Sequence, residues 1–172
     1  MLIAYHGHSP QLDPSTYVQP SAQIIGDVII GAQSSVWFNV VIRGDVQPIR
    51  IGARTNIQDN STVHVTRGRW ATIIGDDVTA GHAVVLHGCR VGNRCLIGIG
   101  AIVLDGVEIG DDCLIAAGSL LTPGTKVPPQ SLVMGHPAKV VRRLRAEELA
   151  HIEESALHYV AHAADYRAQQ IR

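Results

Sequence analysis

Three of the nine histidines are candidate metal ligands: His64, His82 and His87. Three neutral imidazoles that leave one coordination position open are the arrangement that catalytic zinc uses. The alternative is that the three rings serve packing or hydrogen bonding. The other six histidines lie near the chain ends, in the C-terminal helix or in the segment before it, where a solvated side chain is expected. Which interpretation holds depends on the elements that position the three rings.

A six-residue repeat runs from Ile30 to Lys126 and determines where side chains point. Each repeat begins with an aliphatic residue, often has Gly in second place, and has a small or β-branched residue in fifth place. A period of six sustained over this length is typical of a parallel β-helix. We expect the first residue to point inward, the fifth to fill a tight corner, and the glycine to adopt a corner geometry that other residues resist. The first residues are Ile30, Val36, Ile42, Ile51, Ile57, Ile74, Ala80, Val91, Ile97, Val103, Ile109, Ile115 and Leu121.

The repeat predicts that His64 and His87 share one column. Three repeats close one coil, so every third repeat lies on the same face of the prism. The repeats that begin at Ile42, Val63 and Leu86 therefore stack on one another. Their second residues are Arg43, His64 and His87. Strand alternation points these second residues outward. The two histidines are expected about 4.8 Å apart along the axis.

His82 belongs to a different column, in which Asp59 stands one coil away. Because that column forms a neighbouring face, the three histidines of one chain do not converge easily. A second copy could bring its His82 face against the face of His64 and His87. A trimer about an axis parallel to the prism would then build three equivalent metal sites. The residue pattern gives this shared site as a hypothesis.

Composition narrows the class of protein. The 172 residues are 46% hydrophobic but only 4% aromatic, which suits a narrow core filled by Ile, Val and Leu. The formal net charge of −1 argues against a nucleic-acid binder, which needs a basic face. No stretch reads as a signal peptide or a membrane span, so a cytoplasmic location is expected. Cys95 and Cys113 stand one coil apart and are expected to be stacked buried thiols rather than a disulfide.

The chain is expected to form one domain over residues 1–172. It would comprise a turn-rich N-terminal cap at 1–20, the β-helix at 21–130, a closing segment at 131–145 and an amphipathic α-helix at 146–170. Two groups of excess residues interrupt the repeat, at Gln47-Pro48 and at 66–70, and both are expected to form loops. The helix would pack along the prism or across a subunit boundary through residues spaced by three and four, which are Leu149, Ile152, Ala156, Tyr159 and Ala163.

Four segments strongly resemble the γ-class carbonic anhydrase-like family of hexapeptide-repeat, left-handed β-helix proteins. The resemblance implies a homotrimer that binds zinc, or in some members iron or cobalt, at its subunit boundaries. It implies His64, His82 and His87 as the ligands, two from one chain and one from its neighbour. The segments are Ile42-Arg43-Gly44-Asp45, Asn56-Ile57-Gln58-Asp59, Val63-His64 and Gly81-His82-Ala83-Val84-Val85-Leu86-His87-Gly88-Cys89.

The resemblance also implies roles for residues around the metal. Gln58 would hydrogen-bond the metal-bound water or hydroxide. Arg43 and Asp59 would pair across the interface, with Asp45 orienting Arg43; a structural ion-pair network is compatible with the same residues. Tyr159 would reach the site from the helix, with packing as the alternative.

The implied reaction is the reversible hydration of carbon dioxide, a small-molecule substrate, to bicarbonate by metal-bound hydroxide. A metal can lower the pKa of bound water to about 7, a value known from a zinc carbonic anhydrase of unrelated fold. The best-studied active members carry an acidic loop with a Glu proton shuttle. The matching loop here, 66–70, has no carboxylate, and Glu is absent from Ser34 through Val107. Slow turnover is therefore expected.

Two other functions remain open from the sequence. The first is an acyltransferase or thioesterase acting on coenzyme A thioesters, because such enzymes use the same scaffold. The second is a non-catalytic trimeric binding or assembly role.

Overall fold

The computed structural model describes residues 1–169, which form a parallel β-solenoid followed by one α-helix. The predicted fold class, mainly β with hexapeptide repeats and a C-terminal helix, is confirmed. Its strands are β1 Leu2–Ile3, β2 Gln11–Leu12, β3 Tyr17–Val18, β4 Gln23–Ile30, β5 Ser35–Val36, β6 Val41–Ile51, β7 Asn56–Ile57, β8 Thr62–His64, β9 Thr72–Ile74, β10 Thr79–Ala80, β11 Val85–His87, β12 Arg90–Val91, β13 Leu96–Ile97, β14 Ile102–Val103, β15 Glu108–Ile109, β16 Leu114–Ile115, β17 Leu120–Leu121, β18 Lys126–Val127, β19 Ser131–Gly135 and β20 Ala138–Arg143.

The strands stack into three faces. Strand β6 turns a corner, so that its beginning pairs with β8 and its end pairs with β9. We call the stack β8, β11, β14 and β17, with the beginning of β6, the histidine face. The polar face consists of β9, β12, β15 and β18 with the end of β6. The helix face is the separate sheet of β3, β5, β7, β10, β13, β16, β19 and β20.

The core lies inside the prism and is lined by the first residue of every repeat. All thirteen of these aliphatic residues are buried, as the sequence predicts. Among the fifth residues, all but Val46 and Thr125 are buried as well. Because short strands bury one residue each, no single coil holds much apolar surface, and stability comes from stacking coil on coil.

The predicted reason for the second-place glycines is wrong. The positive φ angles at the corners fall instead on fourth residues, such as Gln33 at 57°, Arg94 at 50° and Asp112 at 59°. The second-place glycines are needed because neighbouring coils approach closely. A Cβ atom on Gly98, for example, would lie 2.5 Å from the backbone nitrogen of Ala117. These glycines thus permit close stacking rather than the turn.

Fifth residues also link one coil to the next by hydrogen bonds. The Ser34 hydroxyl donates to the Gly52 carbonyl at 2.7 Å, and the Thr55 hydroxyl donates to the Gly75 carbonyl at 2.8 Å. The thiols of Cys95 and Cys113 make the equivalent contacts at 3.2 Å, to the carbonyls of Gly110 and Pro128. Both cysteines are buried and free, as predicted.

The two groups of excess residues differ from each other. The predicted loop at Gln47-Pro48 is wrong, because strand β6 continues through it as a bulge. Gly44 pairs with Gly26, and the next pair is Ile49 with Val28. The other excess, residues 66–70, does form a loop, and an isolated antiparallel bridge between Thr66 and Trp70 closes it.

The two ends of the chain cover the prism. Strands β1, β2 and β3 of the N-terminal segment pair in parallel with β4 and β5, so this segment joins the solenoid. Strands β19 and β20 of the closing segment form an antiparallel hairpin. Helix α1, Ala146–Ala168, packs along the helix face of its own chain. Gln170 of the predicted helix lies outside the described residues.

Helix α1 attaches through the face that the spacing predicts. Ile152, Ala156 and Ala163 are buried, and Tyr159 contacts the Trp37 ring edge-on at 5.5 Å between centroids. The Arg167 guanidinium donates to backbone carbonyls near Ser15. Among the described residues, 1–169, the structure contains no α-helix with an apolar stretch that would span a bilayer.

Candidate metal site

His64 and His87 lie side by side on the histidine face. Strands β8 and β11 pair with His64 directly opposite His87, which confirms the predicted column. Their rings face each other, with 3.0 Å between His64 Nδ1 and His87 Nε2. Both side chains are partly buried, with exposed fractions of 18% and 32%. The site is therefore accessible from solvent but is not a solvated surface patch.

A carboxylate holds the outer nitrogen of His64. Asp45 Oδ1 lies 3.0 Å from His64 Nε2, and Arg43 donates to the other oxygen of Asp45. Burial raises the pKa of the Asp45 carboxyl, but the hydrogen bonds from His64 and Arg43 outweigh it and lower the pKa overall. Burial is also the main reason why the pKa of His64 is lowered. A carboxylate thus faces a neutral imidazole, whose Nε2–H donates to it.

His87 has a matching carboxylate that the sequence analysis missed. Asp105 Oδ1 lies 2.6 Å from His87 Nδ1, and the Thr66 hydroxyl donates to Asp105 Oδ2 at 2.7 Å. Burial raises the pKa of Asp105, but the hydrogen bonds from His87 and Thr66 lower it overall. The signal was available, because Asp105 follows His87 by one coil of eighteen residues.

His82 lies on the corner after β10, next to the helix face. Its Nδ1 is 2.8 Å from Asp59 Oδ2, and the backbone nitrogen of Ala83 donates to the Asp59 carbonyl one coil away. The predicted stacking of His82 on Asp59 is therefore confirmed. Burial, with a smaller contribution from the nearby Asp59 charge, raises the pKa of Tyr159. The Tyr159 ring packs edge-on against Trp37, which follows strand β5 of the helix face.

Gln58 is buried and held by a chain of polar side chains. Its Nε2 donates to Asn56 Oδ1 at 3.1 Å, and Asn56 Nδ2 donates to Thr79 Oγ1 at 2.9 Å. The Ser155 hydroxyl of helix α1 reaches Thr79 at 3.2 Å. This chain of contacts fixes the orientation of the Gln58 amide from the helix side.

The arrangement fits a metal ion with imidazole ligands. Two nitrogens bound tetrahedrally at 2.0–2.1 Å lie about 3.3 Å apart, close to the separation of the two facing nitrogens. Carboxylates on the far nitrogens are the usual supports of ligating histidines. Among residues 1–169, no group of three His, Cys, Asp or Glu side chains of one chain could hold a metal ion. Arg43 bonds Asp45, and Asp59 contacts His82, so the Arg43–Asp59 pair stays a prediction about neighbouring copies.

Comparison with known proteins identifies the family. The family described as Bacterial transferase hexapeptide (six repeats) matches residues 88–123. A Methanocaldococcus jannaschii protein named Probable carbonic anhydrase is 59% identical over 143 residues, which cover 83% of this chain and 89% of that protein. Gamma carbonic anhydrase 1, mitochondrial, from Arabidopsis thaliana is 46% identical over 166 residues. The chain belongs to the γ-carbonic anhydrase family.

Other similarities bear on fold and length. The crystal structure of a hexapeptide transferase family protein from Anaplasma phagocytophilum is similar to this γ-carbonic anhydrase family member, with a TM-score of 0.92 and 42% sequence identity. The match covers 96% of this chain and 97% of that one. The match to the Arabidopsis protein covers 91% of this chain but only 60% of that longer protein. The activity of such longer relatives is therefore only proposed for this chain.

Proposed function

We propose that this protein is a carbonic anhydrase that interconverts carbon dioxide and bicarbonate. A divalent metal would be held between copies by His64 and His87 of one chain and His82 of its neighbour. The observation that carries this proposal is the pair of imidazole nitrogens 3.0 Å apart, each ring supported by a carboxylate. Such a pair supplies two ligands, and His82, with Asp59 2.8 Å from its Nδ1, supplies a third of the same kind.

The side chains prepare the site before any metal enters. Asp45 accepts the proton on His64 Nε2, and Asp105 accepts the proton on His87 Nδ1. In the neutral rings the facing nitrogens then carry no proton, as ligation requires. A bound divalent metal supplies a nucleophile from water at neutral pH. Gln58, whose amide donates to Asn56, would orient a polar ligand of the metal.

The faces of the prism support a trimer that brings His82 to the other two histidines. Outward residues of the polar face are largely charged: Arg50, Ile73, Arg90, Glu108 and Lys126 are paired in register. The equivalent row of the histidine face is mostly apolar, and its members are Val41, Thr62, Val85, Ile102 and Leu120. An apolar row beside a polar site is what an interface core requires.

Ile99 gives the His82 corner an apolar side chain as well. It is 57% exposed, and the next residue, Gly100, donates its backbone N–H to the His82 carbonyl at 2.8 Å. We propose that Ile99 of one copy packs on the apolar row of its neighbour, which brings His82 to the facing histidines. Closed threefold assembly then repeats this contact three times.

Metal identity and turnover are further parts of the proposal. Imidazole ligands suit zinc and also iron, so zinc is the first candidate, with iron or cobalt as substitutes. Loop 66–70 holds Arg67 and Arg69 but no carboxylate, so no side chain of the loop can accept a proton at neutral pH. Export of the proton then falls to buffer, which makes turnover slow in dilute buffer.

The proposal is tested by metal analysis of anaerobically purified protein together with stopped-flow hydration of carbon dioxide on the same sample. Stoichiometric metal, loss of hydration on chelation and recovery on metal addition are expected. Metal without hydration would point to the binding or assembly role instead. Protein without metal would contradict the proposal.

The transferase alternative has weaker support. The matched repeat family and the Anaplasma protein are both named for transferases, but these names accompany the fold as a whole. Acyl transfer on this scaffold needs a histidine base and no trio of ligands. Tight coenzyme A binding by the metal-free protein would favour the transferase.

A further inference from the structure

We infer that Asp105, held in place by loop 66–70, is a positioning residue that fixes the His87 ring for the metal. The inference rests on the proposed function, because it concerns a ligand of the same site. It gives a role to Asp105, Thr66 and Trp70, three residues outside the set that the family resemblance implies.

The Asp105 carboxylate is fixed by two contacts. One oxygen lies 2.6 Å from His87 Nδ1, and the other accepts the Thr66 hydroxyl at 2.7 Å. With one partner on each oxygen, the carboxylate cannot rotate without losing a hydrogen bond. The His87 ring is therefore held with Nε2 turned towards His64.

Thr66 is in turn fixed by the loop. Its backbone nitrogen donates to the Trp70 carbonyl at 2.9 Å, and the Trp70 nitrogen donates to the Thr66 carbonyl at 3.1 Å. These two bonds close the loop at its base. The Thr66 hydroxyl is thus presented to Asp105 by a closed ring of backbone rather than by a free chain.

The Trp70 indole packs directly over the coils that carry His87 and Asp105. Gly88 follows His87, and a Cβ atom there would lie 2.8 Å from Trp70 Cβ. Gly106 follows Asp105, and a Cβ atom there would lie 3.0 Å from Trp70 Cζ2. A Cβ atom on Gly88 would also lie 2.5 Å from Asp105 Oδ1, so this glycine leaves room for both Trp70 and the Asp105 carboxylate, and Gly106 leaves room for the indole. Loop 66–70 has no acidic side chain that could carry a proton, and we infer that it supports the proposed metal ligand His87 through Asp105.

The test compares Asp105→Ala with Asp111→Ala in the chain of residues 1–172. Asp111 is a matched control, because it is also a corner carboxylate that accepts a hydrogen bond from a neighbouring coil, from Asn93 at 2.8 Å. Thr66→Val is a second variant that keeps the shape of the side chain and removes only the hydroxyl. Each protein is titrated with Co²⁺ by visible absorption, and the metal-free forms are compared by ¹⁵N NMR of the histidine rings.

Asp105→Ala is expected to weaken Co²⁺ binding by about 10- to 100-fold, the usual effect of removing a carboxylate behind a ligand. It should also move the ¹⁵N shifts of the His87 ring in the metal-free protein. Thr66→Val should do both to a smaller extent, and Asp111→Ala should do neither. Unchanged cobalt affinity or unchanged His87 shifts in Asp105→Ala would overturn the inference. Wild-type protein that binds no cobalt would contradict the proposed function, and the NMR comparison would then decide the inference alone.

Discussion

His64 Nδ1 lies 3.0 Å from His87 Nε2, and the far nitrogen of each ring faces a carboxylate. When both rings are neutral and donate from their outer nitrogens to Asp45 and Asp105, the inner nitrogens are both hydrogen-bond acceptors. Two acceptors at this distance repel each other unless a proton or a cation lies between them. The pair is therefore organised for a positive charge, and the proposed metal ion, bound by a further histidine, would supply it.

A charge at Ile99 is predicted to break the assembly. Ile99→Asp places a carboxylate where the proposed interface buries an apolar side chain, and an unpaired buried charge is costly. Sedimentation should show loss of the trimer, and metal analysis should show loss of bound metal. Ile29→Asp is the control, because Ile29 is also exposed, at 39%, but pairs with Arg50 of the polar face. A trimer that survives Ile99→Asp would argue against this interface.

The glycines of the second place are predicted to be more sensitive than those of the corners. Gly118→Ala puts a side chain at a φ of +67° with nothing within 4 Å, at a cost of about 1–2 kcal/mol. Gly98→Ala should cost more, because the new Cβ would meet the Ala117 backbone at 2.5 Å and the coils would have to separate. Denaturant unfolding measures both. Equal destabilisation would show that close stacking is not what Gly98 provides.

A carboxylate placed in the short loop is predicted to speed turnover. Arg67→Glu gives loop 66–70 a group that can accept and release a proton. We expect kcat to rise by no more than about 10²-fold, the lower end of what a positioned base contributes. The rise in kcat should be largest in dilute buffer and small in concentrated imidazole. Arg90→Glu makes the same charge change on the polar face and should leave kcat unaltered. A gain that does not depend on buffer would count against proton export as the slow step.

The thiol of Cys89 is predicted to be unreactive in the folded protein. Burial raises its pKa to about 12, so the neutral thiol persists at every pH below that value, and the thiolate is the reactive form. Cys95 and Cys113 are also buried, so native protein at pH 8 should not react with Ellman's reagent. Unfolded protein should react at all three cysteines. Rapid reaction of one native thiol would contradict the burial of Cys89.

The repeat made much of this structure predictable. A six-residue period fixes which residues point inward, and three repeats per coil fix which repeats stack. The pairing of His64 with His87 and of His82 with Asp59 was therefore predictable from the repeat. The loop at 66–70 followed in the same way. The register of stacked coils is strongly specified, because a shift of one residue would turn every side chain of a strand to the opposite face.

Other features depended on details that counting does not contain. Strand β6 continues through Gln47-Pro48 as a bulge, with Val46 packed against the core. A count of excess residues does not distinguish a bulge from a loop. The second-place glycines reflect the distance between coils, which a one-dimensional repeat does not state. Asp105 was predictable in principle, because it follows His87 by one coil of eighteen residues. Its role depends on the contact between its carboxylate and His87 Nδ1, which the structure supplies.

The central claim is that each metal site is divided between two copies, and mixed assemblies test it directly. His82→Ala and His64→Ala chains should each bind little or no metal alone. Co-expressed and purified together through different tags, they should recover metal, because the intact His64 and His87 of the first chain meet the intact His82 of the second. Recovery of metal in the mixed assembly is the predicted result. Metal retained by His82→Ala alone, or none recovered by an assembled mixture, would contradict the claim.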